Sequence, residues 1–331
     1  SPLSIDAIAE FNVDIAPFDV TNNGFTGGQV NAITKSGTNT YTGSAYFQTR
    51  NESFVGNFTE NGETSSDFPE FTERFIGLNL GGPIIKDKLF FFVNAEFKRE
   101  TSPITTGISG SGAPNTIDFS AATFNEISNI FQNQYGYNPG AFTSPLDQSQ
   151  DNNKLLLKLD YNLAQNHKLT LRYNYVDAVD EDGIGRDDEE YSFSNRQYEF
   201  NSTQNSVVAQ LNSTFGNSAY NELRVVYTRI RDSRDVVAEA FPEVEVSLPF
   251  ETQSGFGGIF AGIDRFSQAN SLDQDLFEIT NNFTFIRGDH EFTVGTSNQI
   301  FTFDNTFVQD AFGTYVFRSI EDLEAGTPFQ Y

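Results

Sequence analysis

The chain has 331 residues, and 35 of them are phenylalanine, which is far more aromatic side chain than a disordered acidic segment carries. Its formal net charge of −25 comes from 45 acidic and 20 basic residues, so the surface repels phosphate backbones and nucleic acid is not expected as a partner. The chain has no cysteine, which excludes disulfides, thiolate metal sites and cysteine nucleophiles.

The first notable stretch is glycine-rich and runs from residue 27 to residue 40, GGQVNAITKSGTNT. A phosphate-binding loop would place glycine directly before the lysine and a helix directly after it. Here Thr34 precedes Lys35, and Ser36 is followed by a turn and then by alternating polar and apolar residues. The stretch therefore predicts a turn that leads into a strand, and not a nucleotide site.

Alternation of apolar and polar residues recurs from that point to the end of the chain. The clearest case has Leu155, Leu157 and Leu159 on one face, followed by Leu169 and Leu171 on the face of the next strand. Such segments lie near residues 41–51, 72–81, 88–100, 155–163, 169–175, 203–215, 219–231, 275–287 and 290–303, with a poorer candidate near 312–318. One short helical pattern, near 124–135, interrupts them. The predicted fold class is all-β.

The connections between these segments alternate between short and long. The short ones, at 82–87, 164–167, 216–218 and 288–289, contain Gly, Asn, Asp or Pro, as tight hairpins require. The long ones are at 52–71, 101–152, 179–202 and 232–274 and hold much of the acidity. This alternation is typical of an antiparallel transmembrane β-barrel with long extracellular loops. A soluble β-sandwich is the alternative, and it would bury the leucine faces against a second sheet.

Two ordered motifs resemble the TonB-dependent outer-membrane receptors. Residues 4–13 and 27–39 look like the end of the plug domain of that family, and residues 43–51 look like its first barrel strand. Residues 80–92, LGGPIIKDKLFFF, are similar to the second hairpin of the Oar-like branch, which is common in Bacteroidota. The close resemblance covers residues 4–51 and 77–100.

The resemblance implies a plugged barrel of 22 strands that imports bulky substrates, energised through a periplasmic TonB protein. Residues 1–40 would be the C-terminal part of the plug domain and its hinge, and residues 41–331 the N-terminal part of the barrel. The implied hinge between plug and barrel consists of Gly27, Gly28, Lys35, Ser36, Gly37, Thr38 and Asn39.

The chain has room for roughly ten barrel strands, whereas 22 would take about 600 residues at this spacing. We therefore expect a partial barrel, an internal fragment that lacks the TonB box, the first half of the plug and the remaining strands. Ten strands would close a barrel only if the first paired with the segment near 312–318. The expectation is an open sheet with two bare edges.

Two groups of residues are candidate sites. Asp180, Asp182, Asp187 and Asp188 are weak Ca²⁺ candidates, because their spacing does not match a calcium loop. Phe256, Phe260 and Phe266 lie among glycines in the last long connection and form a possible substrate loop. His167 and His290 are the two histidines and each flanks a short turn. No cofactor, no catalytic constellation and no enzymatic activity are expected.

The expected function is energy-coupled uptake by a multi-pass β-barrel in the bacterial outer membrane. The expected partners are outer-membrane lipid, the TonB complex through an upstream segment, a substrate of unknown identity and a surface lipoprotein. Two alternatives stay open: a passive or structural outer-membrane barrel such as a porin or adhesin, and a secreted acidic β-protein that binds sugar or calcium.

Overall fold

A computed structural model of the protein describes residues 2–16, 18–22, 27–60, 63–65, 69–143 and 146–331. Parts of the predicted long connections at 52–71 and 101–152 therefore lie outside the described residues. The described chain is almost entirely strand and connection. None of its helices is long and apolar enough to cross a membrane.

The elements follow one another in this order: β1 Ile8–Asp14, β2 Gln29–Thr34, β3 Thr42–Asn51, β4 Phe58–Glu60, β5 Glu63–Ser65, β6 Thr72–Ile85, β7 Leu89–Ile104, β8 Thr106–Ile108, β9 Asn115–Ile117, α1 Ala121–Gln134, β10 Leu146–Ala164, β11 His167–Asp182, β12 Glu190–Ser192, β13 Tyr198–Phe215, β14 Ala219–Val236, β15 Glu243–Pro249, β16 Phe256–Ala261, β17 Asn270–Arg287, β18 His290–Phe307, β19 Thr314–Phe317 and α2 Ile320–Ala325.

The main sheet has nine strands in the order β18-β17-β14-β13-β11-β10-β7-β6-β3, and every neighbouring pair is antiparallel. Each strand pairs with the next main-sheet strand along the chain, which is a simple meander. In the described part of the chain β3 and β18 are the two edges, so the predicted open sheet is confirmed. The predicted strand near 312–318 exists as β19, but it pairs with β15 outside the main sheet, and the predicted tenth barrel strand is wrong.

Tight turns join the strands at one end of the sheet. The turn between β17 and β18 has two residues, Gly288 and Asp289, and Gly288 adopts φ 64°, which glycine reaches without steric cost. The turn between β6 and β7 is shorter than predicted. β6 continues to Ile85, which leaves only residues 86–88 between the strands.

The strands are longer at the other end than the sequence pattern predicts. β10 has 19 residues, whereas about 9–11 residues of a tilted strand cross a bilayer. Residues 101–104, 179–182, 198–202, 232–236 and 270–274 were predicted as loop but belong to strands. In all of these extensions except 198–202, no apolar face continues along the strand, so the alternation that marks a strand is absent there.

The connections between β7 and β10, between β11 and β13 and between β14 and β17 fold together with residues 314–325 into a separate unit, which we call the cap subdomain. It contains α1, α2 and a four-stranded sheet in the order β12-β16-β15-β19, with parallel pairing of β12 to β16 and of β15 to β19. The predicted helix near 124–135 is confirmed as α1, which buries Phe124, Ile127 and Phe131. The core of the cap subdomain consists of Ile108, Ile117, Phe119, Phe124, Ile127, Phe131, Tyr137, Tyr191, Phe193, Val244, Val246, Leu248, Ile259, Ala261, Phe317 and Leu323.

The N-terminal segment, described at residues 2–16, 18–22 and 27–40, contains the antiparallel pair of β1 and β2. It packs on one face of the main sheet, where Ala7 is completely buried against Phe92 of β7 and Leu156 of β10. We call that face the inner face and the opposite one the outer face.

Candidate functional site

The two faces of the main sheet differ in chemistry. On the outer face, Leu157, Leu159 and Leu171 are 38%, 38% and 41% exposed, so no second layer of the described protein covers them. On the inner face, the polar side chains of Asn94 and Asp160 are buried. An apolar face without a protein layer and a polar face on the inside are what a membrane barrel requires, and they contradict a soluble sandwich.

The N-terminal segment is attached to the inner face through a buried carboxylate. Ser4 Oγ donates a hydrogen bond of 2.7 Å to Glu96 Oε2, and Tyr46 Oη donates one of 2.8 Å to the same oxygen. Lys154 Nζ lies 2.9 Å from Glu96 Oε1 and supplies the opposite charge. Ser4 is therefore held by Glu96 of β7, whose carboxylate also contacts Tyr46 of β3 and Lys154 of β10.

A second set of contacts holds the end of the β1–β2 hairpin. Lys158 Nζ donates to the carbonyl oxygen of Thr34 at 3.1 Å and to its hydroxyl at 3.2 Å. Further along the inner face, Asn174 Nδ2 donates to the carbonyl oxygen of Pro2 at 3.1 Å. Within the segment, the amide of Lys35 donates to the carbonyl oxygen of Ala7 at 2.8 Å, which fixes its two ends to each other.

The residues predicted as a hinge fall into two places. Lys35–Asn39 lies against the tight turn between β6 and β7: a methyl group at Gly37 would come within 2.2 Å of the carbonyl oxygen of Phe91, and Asn39 Oδ1 accepts from the amide of Asp87 at 2.8 Å. Gly27 and Gly28 lie elsewhere, just before β2, and Gly27 adopts φ 143°. The stretch that contains Ser36, Gly37 and Thr38 is thus closely packed, and its role as a hinge stays a prediction.

The predicted substrate loop is not a loop throughout. Phe256 and Phe260 belong to β16 of the cap subdomain, whereas Phe266 follows it. Phe256 is 68% exposed, but Phe260 is half-buried with the guanidinium of Arg196 5.2 Å from its ring centre. The guanidinium of Arg265 lies 5.6 Å from the centre of the Phe266 ring. Of the three, Phe256 is the one whose ring is free for a ligand.

Two of the four predicted calcium ligands, Asp182 and Asp187, accept hydrogen bonds from the protein itself. Asp182 accepts from the hydroxyl of Tyr198 at 3.1 Å, and Asp187 accepts from the backbone amides of Glu189 and Glu190 at 2.8 and 2.6 Å. Across the described ranges, no group of three or more acidic or histidine side chains is arranged to hold a metal ion. Asp180 and Asp188 are likewise not part of such a group.

The histidines flank short turns, as predicted. His167 is the first residue of β11, and its Nδ1 lies 2.9 Å from the hydroxyl of Ser213 on the neighbouring strand. His290 is the first residue of β18 and packs against the ring of Phe292. Neither histidine is shown with an acidic partner in the described part of the chain.

An ion-pair cluster at the base of the cap subdomain was not predicted. Arg196 Nη2 lies 2.8 Å from Glu243 Oε2 and 3.0 Å from Asp264 Oδ2. Burial raises the pKa of the Glu243 carboxyl, against the opposing influence of Arg196. Arg196 comes from the connection between β11 and β13, whereas Glu243 and Asp264 come from the connection between β14 and β17. Each alone looks like an ordinary surface charge, so no local sequence signal could have revealed the cluster.

Comparison with known proteins agrees with this geometry. A family model described as outer membrane beta barrel domain matches residues 33–330. The TonB-dependent transporter Oar of Myxococcus xanthus is 34% identical over 104 residues, which cover 28% of this chain and 9% of that protein.

Among solved structures, the outer membrane transporter YddB from Escherichia coli superposes with a TM-score of 0.59 at 11% identity, covering 96% of this chain and 38% of that one. The ferric-catecholate import receptor Fiu from E. coli K12 gives a TM-score of 0.43 at 14% identity, covering 86% of this chain and 48% of that one. The chain thus spans less than half the length of each of these relatives.

Proposed function

The chain belongs to the family of outer membrane beta-barrel domains, and on that premise we propose that it is part of a TonB-dependent transporter that takes up a bulky substrate with energy coupling. Its outer-membrane location and its relation to TonB-dependent transporters follow from the family match and the sequence similarity to Oar. In this proposal the protein binds and moves its substrate and performs no chemical reaction.

The observation that carries the proposal is the N-terminal segment on the polar inner face. Ser4, Thr34 and Pro2 are held there by Glu96, Lys158 and Asn174, which point away from the lipid side. A passive pore needs an unobstructed inner face, whereas a gated transporter needs a movable obstruction. We assign residues 1–40 to the end of a plug and residues 41–331 to part of the barrel wall.

The edges of the main sheet favour additional strands. β3 and β18 each have one partner in the described chain, and unpaired backbone groups cost several kcal/mol each in hydrocarbon. Further strands that pair with both edges would close the barrel. The outer face would then contact lipid, and the cap subdomain would stand on the extracellular side, where Phe256 is exposed to a substrate or to a surface lipoprotein. The residues resembling the Oar-like branch favour a Bacteroidota-type transporter.

The test asks whether the N-terminal segment moves when the cell supplies energy. The native chain lacks cysteine, so in the intact gene product a single Ser4→Cys reports on one position. Its labelling by a membrane-impermeant maleimide in living cells is expected to rise in energised cells and to fall with a protonophore or without TonB.

The control is Asn217→Cys, in the tight turn between β13 and β14, whose labelling should not respond to energy. If Ser4→Cys labels equally in energised cells and in cells without TonB, the transporter proposal is wrong and a passive barrel is the better interpretation.

A further inference from the structure

The inner face carries a cluster of positive charge beside the N-terminal segment. Lys158, Lys168, Arg172 and Arg224 all point to this side, because Lys158 pairs directly with Arg172 across β10 and β11, and Arg224 pairs with Gln210 on the neighbouring strand. Arg224 acts on Arg172 by charge repulsion. In a chain with a net charge of −25, four cations on one side of strands β10, β11 and β14, with only β13 between β11 and β14, are unusual.

The carboxylates of this region balance only part of the cluster. Lys168 Nζ lies 3.2 Å from Asp160 Oδ1, and Arg224 Nη2 lies 3.5 Å from Glu278 Oε1. Glu222, the third inner-face acid nearby, accepts a hydrogen bond of 3.5 Å from the hydroxyl of Tyr220. Asp160 also accepts from the Thr170 hydroxyl at 2.8 Å and is within Coulombic reach of Lys158.

Two cations are left without a carboxylate in contact, and they face each other across β10 and β11. Lys158 donates to the neutral oxygens of Thr34. Arg172 makes no hydrogen bond or ion pair with any residue that the structure describes, although it is half-buried between the Lys158 and Asn174 contacts to the N-terminal segment. The Nε of Arg224 is buried without an acceptor in the same described set.

A partly buried guanidinium without an acceptor keeps its donors available, and its planar fork of donors matches an oxyanion in two-pronged geometry. We propose that Arg172, Lys158 and Arg224 form a binding site for an anionic group, a carboxylate or a tetrahedral oxyanion, on the inner face of the sheet. The inference rests on the proposed transport function in one respect: it makes the anion part of the substrate.

The position of the site gives the anion a consequence for the plug. Lys158 holds Thr34 at the end of the β1–β2 hairpin, and an anion at Arg172 would compete with Thr34 for the same ammonium group. Arrival of the substrate therefore loosens one of the contacts that keep the N-terminal segment in place.

The test is calorimetric titration of the full-length protein in neutral detergent with sodium sulfate and, separately, sodium acetate, at constant ionic strength. Wild-type protein is expected to bind at least one of them saturably. Arg172→Gln should weaken that binding roughly tenfold or more, because a charge-assisted bond is lost. Arg172→Lys keeps the charge but loses the planar fork of donors, so its anion affinity should lie between that of wild type and that of Arg172→Gln.

Arg229→Gln is the matched control, because Arg229 lies on β14 like Arg224 but faces outward, opposite Asp275 of β17. It should bind as wild type does. Should Arg172→Gln not fold, as judged by circular dichroism, Arg224→Gln and Lys158→Gln provide the same readout. Equal affinity in wild type and the inner-face variants, or no saturable binding of either anion, overturns the site.

This titration uses no energy source, so its result is separable from that of the maleimide experiment. Energy-dependent labelling at residue 4 without anion binding would remove the anion site alone. Anion binding without energy-dependent labelling would leave the site standing and remove the transport function.

Discussion

Replacing Phe124 by alanine is expected to unfold the cap subdomain while the main sheet stays intact. The Phe124 ring is completely buried in α1 and touches three other rings. It stacks on Phe142 at 5.1 Å and meets Tyr191 and Phe193 edge-on at 4.9 and 5.7 Å. The partner rings come from two different connections, so this one side chain joins both to the helix.

The size of the effect follows from that geometry. A buried phenylalanine truncated to alanine costs about 3–5 kcal/mol through lost apolar burial and the cavity left behind. Each aromatic pair contributes about 0.5–1.5 kcal/mol beyond its area, which places Phe124→Ala toward the upper end. A small subdomain with a single core holds only about 3–5 kcal/mol in total. The substitution therefore removes most of the free energy that keeps the cap subdomain folded.

Limited proteolysis of the full-length protein in detergent measures this directly. Phe124→Ala should be cut in the connections between β7 and β10 and between β11 and β13 at protease concentrations that leave wild type intact. The far-UV circular dichroism of the main sheet should not change. Asn129→Ala, on the exposed side of the same helix, is the control and should be as resistant as wild type. Equal protection of Phe124→Ala would show that the cap subdomain has no cooperative core around this ring.

Three further outcomes are expected. Gly37→Ala should destabilise the refolded full-length protein by about 1–3 kcal/mol in urea, because the new methyl group meets backbone atoms at 2.2 to 2.9 Å, whereas Gly56→Ala, with open space around it, should not; equal midpoints would contradict the close packing. Leu159→Arg, on the outer face, should cost about 2–4 kcal/mol in lipid vesicles, but Asn201→Arg, on the same face near the long connections, about 0–1 kcal/mol; equal costs would remove the lipid assignment. Hydrogen bonds from the Thr123 hydroxyl and from the amide and hydroxyl of Ser120 hold the pKa of the Glu251 carboxyl below its ordinary 4.5. The stabilisation that ionised Glu251 gives to the docking of α1 is therefore complete above pH 4.5 and is lost as the pH falls through the lowered pKa. Protease resistance of α1 should therefore decline on acidification below about pH 4.5, and Glu251→Gln should flatten that decline; an unchanged profile in the variant would refute it.

The strands could be predicted where one face is apolar and the other polar. Leu157 and Leu159 alternate with the polar Lys158 and Asp160 and lie in β10, as the pattern predicts. The alternation pattern is lost where the strand extends beyond its apolar outer face, because both faces are polar there. At residues 146–154 the outer face continues with Asp151 and Asn153, which bind the guanidinium of Arg99 instead of lipid. Periodicity of hydrophobicity cannot mark a strand whose two faces are both polar.

The cap subdomain could not be predicted for a different reason. Its sheet pairs β15 with β19, and these strands are separated by three other strands along the chain. Each of its strands is short, with β12 only three residues long. A strand of that length gives almost no pattern, and its partner is fixed by tertiary packing alone. The helix α1 was predictable because its fourteen residues present apolar side chains at helical spacing.

Predicting the inner-face contacts would require the register of strand pairing as well as the positions of the strands. Glu96 and Lys158 are ordinary polar positions in alternating segments, and nothing in the sequence pairs them with Ser4 or Thr34. Once the register places them on the inner face, their chemistry is determined by what covers them. The choice between a fixed wall and a removable plug then depends on how strongly they hold.

That strength can be bounded from the bonds themselves. The segment is held by the bonds of Ser4 to Glu96, of Lys158 to Thr34 and of Asn174 to Pro2, together with the burial of Ala7. Each such bond is worth about 0.5–1.5 kcal/mol net, and about 1.5–3 kcal/mol where one partner is charged, because water replaces it on release. The sum is several kcal/mol, enough to keep the segment in place at rest. It is also small compared with the stability of nine long strands that share a continuous ladder of backbone hydrogen bonds. A pull on the N-terminal segment therefore detaches the segment before it disturbs the sheet, which is the order of events that a gated barrel requires.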